Sequence, residues 1–168
     1  MGGAARPVAR AGYRVTGPDQ LDVRVRAAAE GDLPRVHAIE IATFPDPWTL
    51  NGFRDVLGNA RARLDVAEDQ MGELLGYSAA WFVADESEIA NLAVARHARR
   101  RGVGGRLLDE VLGAARAFGA QSVFLEVRES NEAGKKLYAS RGFAIVGRRP
   151  NYYRKPEEDA LIMRKPGS

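Results

Sequence analysis

The chain has 168 residues, 45% of them hydrophobic and 28% charged, which suits one domain with a sizeable core and excludes a wholly disordered protein. It contains no cysteine and only two histidines, His37 and His97. Disulfides, zinc–thiolate and iron–sulfur sites and a cysteine nucleophile are therefore excluded, and no metal site is expected. The formal net charge of +3 favours anionic ligands without identifying one.

Residues 1–20 carry Arg6, Arg10 and Arg14 among glycine, alanine and proline, and read as a flexible basic tail. They lack the apolar stretch of a secretory signal, and no run in the chain reaches the roughly eighteen apolar residues of a membrane span. The expected location is cytoplasmic. Val23, Val25 and Ala27 alternate with Asp22, Arg24 and Arg26, which predicts a half-buried strand. A helix is expected from Leu33, capped by Asp32, with Leu33, Val36, Ile39 and Ile41 as its apolar stripe and an end near Thr43. Phe44-Pro45-Asp46-Pro47-Trp48 cannot be helical, because each proline drives the residue before it towards an extended form. A short helix over 50–57 follows, capped by Thr49.

Three strands are then predicted, over 63–68, 74–83 and 88–94, with turns at Gly72 and at the acidic stretch 85–88. From Gly102 to Phe118, Val103, Leu107, Leu108, Val111, Leu112 and Ala115 recur at three- and four-residue spacing, a helix of about four turns closed by Gly119. A buried strand over 122–127, a helix over 131–140 and strands over 143–146 and 160–163 complete the pattern, the last two joined by a polar loop holding Asn151, Tyr152 and Tyr153. This order predicts a single mixed α/β domain over residues 21–165.

Two segments carry candidate chemistry. The junction Arg99-Arg100-Arg101-Gly102-Val103-Gly104-Gly105 leads from a strand into the long helix. A helix start presents unpaired N–H groups and partial positive charge to an anion, and glycines let that anion approach the backbone. It is neither a Walker loop, lacking Gly-Lys-Ser/Thr, nor a good dinucleotide fingerprint. The alternative is a tight loop with a solvated arginine run. In the second segment, Glu126 interrupts the apolar run Val123-Phe124-Leu125-Glu126-Val127, where desolvation would suit a carboxylate to general-base work. The alternative is an edge position facing water or paired with Arg128. Tyr138 reads equally as core packing with a wet hydroxyl, and Asn131 as a helix N-cap.

Together these pieces resemble the GNAT superfamily of acetyl-CoA-dependent N-acetyltransferases. Its Arg/Gln-x-x-Gly-x-Gly/Ala signature matches Arg99-Arg100-Arg101-Gly102-Val103-Gly104. A closer match to the RimI-type enzymes, which acetylate a ribosomal protein's N-terminal amine, is carried by four stretches. These are Phe44 to Trp48; Asn91-Leu92-Ala93-Val94; Leu125-Glu126-Val127-Arg128 with Ser130-Asn131 and Leu137-Tyr138; and Arg149 to Tyr153 with Glu158-Asp159-Ala160. The resemblance implies a central, mostly antiparallel mixed sheet flanked by helices, splayed between the strands at 88–94 and 122–128. It implies acetyl-CoA as co-substrate, with Leu92, Ala93 and Val94 pairing its pantetheine arm and Asn131 bonding to that arm. Arg99, Arg100, Arg101, Gly102, Val103, Gly104 and Gly105 would form the pyrophosphate loop. Glu126 would be the general base and Tyr138 the general acid, while Phe44, Trp48, Tyr152 and Tyr153 would wall the acceptor. The implied acceptor is a protein N-terminus, the alanine of small-subunit ribosomal protein eighteen. Two departures stand out: the unbroken arginine triplet, and Gly134 inside the second helix, costing about 1 kcal/mol of helix propensity. Rival readings are acetylation of a small amine or lysine side chain, and a non-catalytic RNA-docking face built on the arginines at 99–101, 148, 149 and 154.

Overall fold

A computed structural model describes residues 22–167, so the expected basic tail lies outside the described residues. The strands are β1 (Arg24–Ala27), β2 (Ala62–Glu68), β3 (Leu74–Val83), β4 (Glu86–Val94), β5 (Ser122–Arg128), β6 (Ala144–Arg154) and β7 (Glu157–Pro166). The helices are α1 (Leu33–Thr43), α2 (Leu50–Leu57), α3 (Val103–Phe118) and α4 (Glu132–Ser140). One sheet holds all seven strands in the order β1-β2-β3-β4-β5-β7-β6. Every neighbouring pair is antiparallel except β4 and β5, which run parallel. This is the mixed, mostly antiparallel sheet expected.

Helices cover both faces. On one, Leu33, Val36, Phe53 and Val56 of α1 and α2 pack on Leu64, Val66, Tyr77 and Ala93. On the other, Leu108, Val111 and Ala115 of α3 pack with Val123, Leu125 and Val127 of β5. Alternation along β5 thus sends Val123, Leu125 and Val127 under α3 and turns Phe124, Glu126 and Arg128 to the α1 face. Gly102 (φ 80°) and Gly119 (φ 88°) bracket α3 in the left-handed conformation that glycine adopts without strain.

The structure changes three expectations about local elements. Ile41 is not in the apolar stripe of α1: it is 55% exposed, and Glu40 takes the buried place. On a helix of 3.6 residues per turn, Glu40 falls about 20° from Leu33 and Ile41 about 80° away, so the spacing itself selects the acid. Asp32 does not cap α1 with its side chain. It turns back to accept from the Ala29 N–H at 2.8 Å and to pair with Arg26 at 2.7 Å. Asn151, Tyr152 and Tyr153 lie within β6 rather than in a loop, because β6 and β7 run on well past the short strands that apolar content suggested.

Gly76 on β3 allows a close approach that no other residue would. A Cβ there would stand 2.7 Å from the Ala93 carbonyl oxygen and 3.1 Å from Leu107. Gly76→Ala is expected to cost about 1–3 kcal/mol, since the obstacle is backbone. Urea denaturation checks this, and an unchanged midpoint would mean that β4 shifts freely.

Candidate active site

The site begins where β4 and β5 part. They pair only from Glu86 opposite Ser122 to Ile89 opposite Leu125. Beyond Ile89 the β5-facing edge of β4 has no partner strand among the described residues, while its other edge stays bonded to β3 as far as Val94. An extra residue, Ala90, enters β4 between Ile89 (opposite Ala80) and Asn91 (opposite Ala79). This bulge switches the facing of the strand: Ile89 packs with the α3 cluster, whereas Ala93 packs with α1 and α2. Asn91 consequently points to α1, where it meets Glu40.

The parted strands open a cleft of about 510 Å³. Eight of the expected site residues line it: Phe44, Trp48, Leu92, Glu126, Asn131, Tyr138, Tyr152 and Tyr153. Glu126 enters from the α1 face of β5, and Tyr138 from α4 on the opposite face of the sheet. Its wall also carries Glu40, Asp46 and Glu88 against Arg128 and Arg154, so acidic groups predominate.

Glu126 is not paired with Arg128. Its carboxylate forms an ion pair with Arg149, whose Nε lies 2.7 Å away, and a hydrogen bond with Glu126 raises the Tyr152 pKa above the ordinary phenol value. The Glu126 side chain retains 19% exposure and Arg149 57%, so this pair is open to water. Arg128 instead lies over the Tyr153 ring at 4.1 Å and pairs with Glu158 at 3.4 Å. Burial pushes the Tyr138 hydroxyl up to about 12, with Tyr153 adding to the rise, and its ring meets Phe143 edge-on at 5.9 Å.

The two tyrosines of β6 reach the cleft because the strand bulges. Between Arg149 and Tyr153 it advances four residues while β7 moves two, from Ala160 to Glu158. Asp159 holds this bulge by accepting from the Asn151 N–H at 2.9 Å and from Arg148 at 2.8 Å, both of which lower its pKa. Glu158 ties the neighbouring loop by accepting from the Ser130 N–H and hydroxyl, and those bonds, with Arg128, lower its pKa as well.

The segment expected to hold a pyrophosphate lies beyond this cleft, at the end of β4. Arg99 Nε donates to the Val94 carbonyl at 3.0 Å, and Arg100 adopts a left-handed conformation (φ 62°) just before Gly102. Among the described residues no side chain caps α3, which leaves its first-turn N–H groups without a side-chain acceptor, as an anion site requires. Two of these glycines also lie against neighbouring side chains. A Cβ on Gly105 would lie 2.5 Å from Arg141 Nη2, and one on Gly104 would press on Leu137 at 3.3 Å, so both permit α3 to pack against α4 and its end. Asn131 is the N-cap of α4, accepting from the Gly134 N–H at 2.9 Å. A Cβ at Gly134 would lie 2.6 Å from Asn131 Nδ2, which accounts for a glycine inside this helix.

Sequence reasoning missed Glu40, Asn91 and the contact of Arg149 with Glu126. Glu40 had a usable signal, its helical spacing from Leu33 and Val36. The partnership of Arg149 depends on the β6 bulge and had none.

A protein-family model described as the acetyltransferase (GNAT) family matches residues 33–143. The [ribosomal protein bS18]-alanine N-acetyltransferase of Escherichia coli (strain K12) is 32% identical over 137 residues, covering 80% of this chain and 91% of that protein. A Bacillus subtilis (strain 168) protein provisionally assigned the same name is 36% identical over 133 residues, covering 79% and 87%. The crystal structure of the ribosomal-protein-S18-alanine N-acetyltransferase from Escherichia coli superposes with a TM-score of 0.80 at 30% identity, covering 87% of this chain and 94% of that one.

Proposed function

Because the chain belongs to the acetyltransferase (GNAT) family, we propose that it moves an acetyl group from acetyl-CoA to a protein's N-terminal α-amine, and that the acceptor is the N-terminal alanine of ribosomal protein bS18. The observation that carries this reading is the convergence of Glu126 and Tyr138 from opposite faces of the sheet on one cleft at the strand splay. The names of the relatives at 32–36% identity support the acceptor.

The residues present fit acetyl-CoA. The unpaired edge at Leu92, Ala93 and Val94 offers backbone groups to an extended amide arm, and the uncapped start of α3 suits a diphosphate. When bound it supplies an activated acyl group as a thioester. Leu92 to Val94 orient that group, and a backbone N–H on this edge stabilises the oxyanion that develops as the amine attacks. Glu126, directly or through water, takes the proton of the incoming amine. Tyr138 donates to the departing sulfur. No protein nucleophile takes part, in keeping with a chain that lacks cysteine.

Acids that outnumber bases around the cleft favour a cationic acceptor. The walls made by Phe44 and Trp48 on one side and Tyr152 and Tyr153 on the other suit a peptide chain. Among the described residues no helix is long and apolar enough to cross a membrane, and no cluster of potential metal ligands occurs.

Mass spectrometry of N-terminal peptides incubated with the protein and acetyl-CoA tests the proposal. Alanine-initiated peptides with the bS18 N-terminal sequence should gain one acetyl group on the α-amine well ahead of polyamines and lysine side chains. Preferential labelling of small amines would replace the protein acceptor, and absence of transfer to any amine would remove the reading.

A further inference from the structure

Resting on this acetyl-transfer reading, we infer that Glu40 is a positioning residue for the acceptor, fixing the wall formed by residues 44–48 against strand β4. Glu40 is only 1% exposed, yet it borders the cleft and carries no ion pair with any described residue. Its partners are all neutral donors. One carboxylate oxygen accepts from the Trp48 N–H at 2.9 Å; the other accepts from Asn91 Nδ2 at 2.9 Å and from the Tyr77 hydroxyl. Burial and the adjacent Glu40 charge drive the Tyr77 pKa well above the ordinary phenol value, so that hydroxyl remains a donor.

The sequence of the wall explains why one residue holds it. Pro45 and Pro47 have no N–H, which leaves the segment three backbone donors, on Phe44, Asp46 and Trp48. Glu40 takes two of them. Its backbone oxygen accepts from Phe44 at 2.9 Å where α1 ends, and its side chain accepts from Trp48 four residues later. Both ends of a non-helical segment are therefore anchored to a single residue. Through Asn91, the same carboxylate reaches the strand position next to Leu92, at the start of the open edge. A leucine would fill this buried place on α1 without desolvating a charge, so packing alone does not call for an acid. What the acid adds is a rigid tie between acceptor wall and β4. Reacting groups must be held to within about an ångström, and such a tie is felt in turnover.

Steady-state kinetics of wild type, Glu40→Gln and Tyr77→Phe with an alanine-initiated peptide test this, alongside calorimetry with acetyl-CoA. The amide of Glu40→Gln offers one acceptor oxygen where Trp48 and Asn91 need two, so one tie is lost. Tyr77→Phe removes a buried partner of the same carboxylate and a second acceptor of Asn91 Nδ2, but leaves both the Trp48 and the Asn91 bonds to Glu40. Glu40→Gln should raise the peptide KM at least tenfold while the KM and Kd for acetyl-CoA stay within twofold. Tyr77→Phe should leave both KM values within twofold even where its melting temperature falls as far. A rise in both KM values together, an equal peptide-KM rise in Tyr77→Phe, or no change in Glu40→Gln would each overturn the inference. Should Glu40→Gln fail to fold, Asn91→Ala, which cuts the tie to β4 together with a bond from Asn91 Nδ2 to the Tyr77 hydroxyl, carries the same expectation. A wild type that binds acetyl-CoA but acetylates no α-amine overturns the functional reading as well, whereas an active wild type with an unmoved Glu40→Gln overturns this inference alone.

Discussion

Glu126→Gln is expected to lower kcat/KM about 100-fold at pH 7, the low end of what a general base contributes, with the deficit shrinking to about tenfold near pH 9.5. An α-amine has a pKa of about 7.7–8.0, so at pH 7 only about 10–15% of the acceptor is free and nucleophilic. In the proposed mechanism the carboxylate removes the obstacle by accepting that proton within the complex. As the pH passes the amine's own pKa, the solvent does the same work and the variant gains rate steadily, whereas wild type levels off sooner. The structure imposes one condition on this role. In the free protein the Glu126 carboxylate is bonded by Arg149 and Tyr152. A pair whose cation is more than half exposed holds weakly, by about 0–1 kcal/mol, and an arriving ammonium group can displace it. Glutamine keeps an acceptor for Tyr152 and should fold as well as wild type. A loss of the same size at every pH would mean that Glu126 shapes the cleft rather than moving a proton, and undiminished activity would take it out of the mechanism.

How far the sequence foretold this site depends on which physical signal each part leaves. Glu126 was legible because a charge in an apolar strand is conspicuous, and β5 is regular enough for alternation to give its facing. The start of α3 was legible because glycines and a change of period coincide there. The β6 bulge was not: its residues are polar, its strand is a sheet edge, and Pro150 within it suggests a loop to any reading based on composition. The Ala90 bulge was equally silent, since a single extra residue changes facing without changing composition. Glu40 was overlooked because polar residues are assumed to lie outside, although its helical spacing from Leu33 places it at the centre of the buried face. A second constraint on Gly104 and Gly105 left no mark in the sequence. Their lack of a side chain serves packing against α4 and Arg141, a neighbour distant in sequence.

Tyr138→Phe is expected to lower kcat about 100-fold while the Kd for acetyl-CoA stays within twofold, and the magnitude follows from an acidity mismatch. Burial sets the phenol at about 12, so it is protonated across the whole working pH range and always available as a donor. An ordinary thiol has a pKa of about 8.5, so complete transfer from phenol to thiolate would be uphill by about 5 kcal/mol. A fully formed thiolate is therefore a poor base for this proton. In the proposed mechanism the contribution of Tyr138 must therefore come while the carbon–sulfur bond is breaking, as a hydrogen bond to charge growing on sulfur. The net proton then comes from the amine, which has to lose one in any case. This places Tyr138 at the modest end of general-acid effects and predicts that wild-type kcat shows no fall on the alkaline side until above about pH 10, as far as this group is concerned. Removing the hydroxyl leaves the ring in place against Phe143, so the fold should tolerate the change and calorimetry should report full binding stoichiometry. Unaltered turnover in Tyr138→Phe would return the residue to core packing. An alkaline limb near pH 8.5 that disappears in the variant would mean instead that bound acetyl-CoA lowers the phenol's pKa into range for true proton transfer.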